Sequence, residues 1–173
     1  ATPYAYGGPT TPLDADPTYG YLYNFSAATA GETSTSHDEN AGDAPNSICA
    51  AGWRLPRSGY ADTTTWPYQN PFATNDFANL DIAFGGTGAY ADGGESNIAQ
   101  WQPTGAFKGT YSGYWAGVVF VGQGDLGFLW SASADPGRPD GAFAAAFDPL
   151  GVGPGDGGGD RPIGFGIRCL LQP

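Results

Sequence analysis

The sequence predicts one α+β domain of short strands, one or two helices and long irregular connections, and three observations carry that reading. Its 173 residues suffice for a single domain with a real hydrophobic core. With 29 Gly, 15 Pro, 14% aromatics and no Met, the composition favours short strands and turns over long helices. Period-two aromatic stretches recur, whereas helical spacing is confined to one or two short segments. A hydrophobic content of 40% opposes the disorder that so much Gly and Pro would otherwise permit.

Residues 1–18 are rich in Pro, Thr, Gly and Asp and read as an extended arm or linker, leaving 19–173 as the domain. In Tyr19-Gly-Tyr-Leu-Tyr-Asn-Phe25 the residues Tyr19, Tyr21, Tyr23 and Phe25 alternate with others, which predicts a strand. A polar loop follows over 29–47, then the compact apolar segment Ile48–Pro56. Residues 57–73 read as irregular. Thr74 is the expected N-cap of a helix through Phe84, with Phe77, Leu80 and Phe84 at helical spacing and Gly85-Gly86 as the stop. A short helical turn is expected over Ser96–Trp101. Gly-separated aromatic segments then run from Phe107 to Trp130. In Gly141–Phe147 the residues Phe143, Ala145 and Phe147 share one face, and Ala142, Ala144, Ala146 and Asp148 point the other way. The closing strand Gly164–Leu171 would turn Phe165, Ile167 and Cys169 inward and Gly166 and Arg168 outward.

Residue usage changes abruptly after Trp130. From Ser131 to Leu171 there is no Lys, Glu, Gln, Asn, Thr, Tyr, Trp, His or Met, where composition alone would give about a dozen. Strand anchors persist while whole side-chain classes vanish, as if the residues came from a restricted codon pool. That pattern points to binding by a variable surface rather than to catalysis. Drift in a GC-rich genome should also have thinned Tyr, Thr and Asn before residue 130, and it has not.

The formal net charge is −11 with only six basic residues, so phosphate backbones and anionic membrane surfaces are poor partners. No apolar run approaches the ~20 residues needed to span a bilayer. No charged-then-apolar leader opens the chain, and Ala1 reads as a mature N-terminus or the start of a trimmed ectodomain. Cys49 and Cys169 are either two unconnected thiols or a disulfide closing a loop of about 120 residues, worth about 4–5 kcal/mol on chain entropy. The polar, Met-free, Gly-rich composition reads as extracellular and favours the bridge.

Ile48-Cys-Ala-Ala-Gly-Trp-Arg-Leu-Pro56, Leu129-Trp-Ser131 and Gly164-Phe-Gly-Ile-Arg-Cys169 occur in this order. The set resembles the Fibrobacter-type major paralogous domain, a secreted bacterial family, over about residues 19–171. Ala50 stands where that family usually has Pro, and Ala132 where it has a second Ser. The resemblance implies a C-type-lectin-like (formylglycine-generating-enzyme-like) fold. The variable proteins of diversity-generating retroelements also use that fold, randomising adenines in a C-terminal repeat. It implies that Trp130, Phe143, Phe147, Phe165 and Cys169 stay fixed while a variable region of about 131–163 forms the binding face. The positions nominated for that face are Ala132, Asp135, Gly137, Arg138, Pro139, Asp140, Ala144, Ala146, Asp148, Pro149, Leu150, Asp160, Arg161 and Pro162. Tyr114 and Trp115 are the supporting aromatics.

An enzyme is not expected. Formylglycine-generating enzymes place a reactive Cys pair close together, unlike Cys49 and Cys169 here. The single His37 lies in a polar loop without a nucleophile to activate. The carboxylate pairs Asp14/Asp16 and Asp156/Asp160 sit among Gly and Pro, with no apolar pocket to shift a pKa. Sugar-binding lectins of this fold hold calcium with Glu-Pro-Asn or Gln-Pro-Asp plus Trp-Asn-Asp. Gln102-Pro-Thr104 and Trp130-Ser-Ala132 lack those oxygens, and Asp156-Gly-Gly-Gly-Asp160 has no repeating ligand spacing. No metal or cofactor is expected. The expected function is a secreted or cell-surface receptor or adhesin for a protein or cell-surface glycan. The alternative is a self-associating subunit of a surface filament.

Overall fold

The computed structural model describes residues 17–31, 44–59, 75–88, 91–92, 97–135, 138 and 140–172. Thr74, Ser96, His37, Asp14, Asp16, Gly137, Pro139 and most of the proposed arm lie outside them. The architecture is mixed α+β, with few helices and several antiparallel strands. A four-stranded sheet carries it, in the order β2 (Ala91–Asp92), β7 (Gly151–Asp160), β6 (Gly141–Phe147) and β5 (Gly127–Ala134). Two small antiparallel pairs flank it. One joins β1 (Trp53–Arg54) to β8 (Leu170–Leu171), and the other is the hairpin β3 (Tyr114–Trp115) to β4 (Phe120–Val121).

Side chains alternate across the sheet, and each face meets its own core. Leu129, Ala145, Phe147 and Val152 join one cluster with Phe77, Ile98, Trp101 and Phe107. Trp130, Ala132, Ala142 and Ala144 join the other with Phe25, Ala28, Leu55 and Phe165. The expectation that Ala142 and Ala144 face outward is therefore corrected. Alternation does turn them away from Phe147, but a second apolar layer covers that side.

The double covering also explains much of the tail's small-residue content. A Cβ on Gly127 would fall 2.2 Å from Cζ of Phe147, and one on Gly159 would fall 2.5 Å from Cε2 of Phe165. Trp130 and Phe165 lie with ring centroids 4.3 Å apart, and Phe25 meets Trp130 edge-on at 5.6 Å. Large rings thus rest on a floor of Gly and Ala, because close packing leaves no room for both.

Helix α1 (Phe25–Ala28) begins at Asn24, whose side chain accepts from the Ala27 N–H at 2.8 Å. The predicted Tyr19–Phe25 strand is thus replaced by a 3-10 turn at Pro17–Tyr19, a single bridge from Tyr23 to Phe165, and this helix. Gly20 at φ 68° breaks the extension, and Leu22 is buried while Tyr21 is exposed. Helix α2 (Asp76–Ala83) is capped by Asn75, one residue after the expected cap, with Phe77, Leu80 and Phe84 on the core as expected. Arg54 forms a two-pronged ion pair with Asp76, at 2.6 and 3.1 Å, tying β1 to the start of α2. Helix α3 (Ile98–Trp101) is docked on α2 by the buried Asp81 carboxylate, which accepts from Asn97 Nδ2, Trp101 Nε1 and the Gly88 N–H.

The segment expected as a long closing strand is a strand only at Leu170–Leu171. Before that, Gly164, Phe165 and Gly166 bridge three different partners, Trp115, Tyr23 and Leu129. Phe165 is buried and Arg168 exposed as expected, but Gly166 is buried too and Ile167 and Cys169 are half-buried. Cys49 and Cys169 form a disulfide. It brings together the three segments singled out in the sequence: Ala132 N–H donates to the Pro56 carbonyl at 2.7 Å, and Trp130 N–H to that of Gly166 at 3.0 Å.

Candidate functional site

The exposed members of the nominated face gather where β5 turns into β6 and β7 ends. Asp135, Arg138 and Gly141 close a succession of backbone turns, with Arg138 N–H donating to Asp135 O and Gly141 N–H to Arg138 O. Arg138 pairs with Asp160 across the sheet end. Arg161 N–H donates to the Asp140 carbonyl at 2.7 Å, and its Nε to the Gly141 carbonyl at 3.0 Å. The Arg161 guanidinium also lies 5.2 Å over the Phe25 ring. Both arginines nominated as binding anchors are therefore also stitches that hold this end together. Asp140 and Pro162 are its exposed points, and Arg138, Asp160 and Arg161 are half-buried around them.

Three nominated residues do not reach this surface. Ala132 and Ala144 belong to the second core, with Ala144 3% exposed, and Asp135 is 2% exposed beneath the turn. Gly137 and Pro139 lie outside the described residues. The others sit at the opposite end of β6, roughly 25 Å away at ~3.3 Å per residue. There Asp148 Oδ1 accepts from the Leu150 and Gly151 N–H groups at 2.6 and 2.7 Å, so it builds the β6–β7 turn. Burial, helped by the Asp148 charge, raises the Tyr111 phenol above its usual 10.0. Pro149 and Leu150 are exposed and Ala146 is half-buried. The described positions that reach the surface thus form two separate patches with a buried strand between them, not one continuous face.

Of the supporting aromatics, Tyr114 packs edge-on against Phe128 and Phe165 and is a core residue. Trp115 is different. Its backbone exchanges two hydrogen bonds with Gly164, at 2.9 and 3.0 Å, which sets the β3–β4 hairpin beside the segment that follows β7. Its ring lies 4.7 Å from that of Phe120, and its buried indole N–H has no partner. At the hairpin tip Val118 and Val119 are 87% and 51% exposed. Sequence reasoning missed this pair. The signal was present: two adjacent β-branched residues directly after a Gly, between two aromatic strands too short to bury them.

Among the described residues, no group of three or more His, Cys, Asp or Glu converges as a metal site would need. No described helix is long and apolar enough to cross a membrane. No family model, curated protein or solved structure matches this chain.

Proposed function

We propose that this chain is a ligand-binding domain of a secreted or surface-displayed receptor or adhesin, without enzymatic activity and with a C-type-lectin-like architecture. Its binding face is the sheet end formed by Arg138, Asp140 and residues 160–162, together with the Val118–Val119 hairpin tip. The observation that carries the reading is that exposed tip. Two bare valines on a hairpin held by a Trp–Phe pair have the make-up of the apolar centre of a protein-contact surface. The same geometry supports a narrower set of diversified positions: exposed Asp140 and Pro162 are free to vary, whereas 132, 135, 142 and 144 are held by packing. The disulfide and the lack of a membrane-crossing helix among the described residues are compatible with an extracellular location.

Sister copies of the gene test this directly. Their differences are expected to concentrate at 137–140 and 160–162, and an even spread along the chain overturns the reading. A second reading, a self-associating surface subunit, is supported by a separate observation. Trp53 and Leu171 are cross-strand partners, 46% and 65% exposed, and Ile48 is exposed nearby in the chain. Light scattering at neutral pH separates the two: concentration-dependent assembly lost in Trp53→Ser favours the subunit, and a monomer favours the receptor.

A further inference from the structure

A cavity of about 330 Å3 opens between the start of the described chain and its closing segment, away from the face proposed above and sharing no residue with it. Its wall includes Thr18, Tyr19, Tyr21, Tyr23, Thr110 and Arg168. That volume lies at the small end of ligand pockets and fits one ring rather than an extended chain. Five of these six side chains carry hydroxyls, each able to donate and accept. The sixth is a cation in a protein of net charge −11. Arg168 donates Nη1 to the Lys108 carbonyl at 3.3 Å and stacks at 4.5 Å on the Phe107 ring, and no carboxylate pairs with it among the described residues. Lys108 holds a left-handed backbone, φ 55°, at this contact, which is unusual for a residue with a Cβ. The guanidinium is thereby fixed by a ring and a carbonyl, and no described carboxylate neutralises its charge.

We propose that this cavity binds a single acidic sugar ring, a hexuronic acid, with Arg168 taking the carboxylate and the phenol and threonine hydroxyls taking the ring hydroxyls. A guanidinium without a carboxylate partner among the described residues selects a carboxylate through its planar fork. Tyrosine and threonine residues set among apolar wall residues suit a sugar ring, which has both hydroxyls and a C–H face, better than acetate.

The test is calorimetric titration of the full chain with sodium glucuronate, glucose and acetate at neutral pH. Glucuronate is expected to bind roughly ten-fold or more tightly than either of the others. Arg168→Gln is expected to reduce glucuronate to the level of glucose, and Arg168→Lys, which keeps charge but loses the fork, to retain part of the preference. Acetate matching glucuronate, glucose matching glucuronate, or no binding of any probe overturns the proposal. Because Arg168 also packs on Phe107, amide and tyrosine-ring shifts of the unsubstituted protein provide a second readout. Perturbations must centre on Tyr21, Tyr23 and Arg168, and perturbations elsewhere overturn it. Val118→Asp and Asp140→Ala leave this titration unchanged, so failure here is distinct from failure of the sheet-end receptor.

Discussion

Adding one methyl group at Gly127 measures how far the tail's composition is imposed by packing. The new Cβ would lie 2.2, 2.3 and 2.8 Å from three carbons of the Phe147 ring. A ring at the end of a side chain can often swing aside, but this one is hemmed in. Trp101, Phe107 and Tyr111 stand around it with centroids 5.9, 6.1 and 6.0 Å away. Overpacking of that kind costs about 1–3 kcal/mol. Reduced freedom of the unfolded chain returns at most about 1 kcal/mol for Gly→Ala. Gly127→Ala is therefore expected to be destabilising by about 1–2 kcal/mol, lowering Tm by roughly 2–8 °C in a domain of this size. Urea unfolding under oxidising conditions reads it. If Phe147 is the obstacle, Phe147→Leu makes room, and the double variant should be more stable than the two single losses summed by about 1 kcal/mol. Strict additivity, within about 0.5 kcal/mol, refutes the ring-on-glycine reasoning. So does a Gly127→Ala protein as stable as the parent.

Replacing Asp140 by Tyr, in contrast, should stay within about 0.5 kcal/mol of the parent by the same urea assay, because that position is exposed and touches no core. Ala144→Tyr at the buried, equally nominated position should lose several-fold more stability or fail to fold. Replacing both cysteines by Ala removes the Cys49–Cys169 link and is expected to lower the unfolding free energy by about 2–5 kcal/mol, seen as an earlier urea midpoint. Alkali offers a further check through two phenols. Tyr23 is raised above 10.0 by burial and by Tyr21, and Tyr111 by burial and by Asp148. With folded pKa values above the unfolded one, their contribution is intact below pH 10 and is lost as pH rises through the folded values. Urea midpoints taken from pH 9 to 11 should thus fall less steeply in Tyr23→Phe/Tyr111→Phe than in the parent, and equal slopes contradict the assignment.

Period and capping chemistry were legible in the chain wherever local rules decide the outcome. Phe77, Leu80 and Phe84 announce the face of α2, and Phe143–Phe147 announces the alternation of β6, because both depend on neighbours within a few residues. The N-terminal tyrosines misled for a tertiary reason. Tyr19, Tyr21 and Tyr23 have strand spacing, but Gly20 turns the backbone and Asn24 starts a helix, so Leu22 is the side chain that goes in. Nothing in the local pattern reveals that Tyr23 will meet Phe165, over a hundred residues later. The tyrosine-lined cavity is unreadable from the sequence for the same reason, since its wall is drawn from the start, the middle and the end of the domain.

The abrupt change in residue usage after Trp130 has two causes superposed, and the structure separates them by position. Inside the sheet, Ala142, Ala144, Ala145, Gly127 and Gly159 are small because Phe147, Trp130 and Phe165 lie across them. Gly127 precedes the change in usage yet obeys the same constraint, which a codon pool limited to the tail cannot explain. At the sheet end that constraint is relaxed, because Asp140 and Pro162 are exposed. Packing therefore accounts for the Gly and Ala of the strands but not for the missing Lys, Gln, Asn, Thr and Tyr of the loops. An exposed turn has no physical reason to exclude those polar residues. Only that residual absence, at 137–140 and 160–162, bears on diversification. A library built at exposed Asp140 and Pro162 with all residue types should fold as well as the parent, whereas one built at 142–145 should mostly fail.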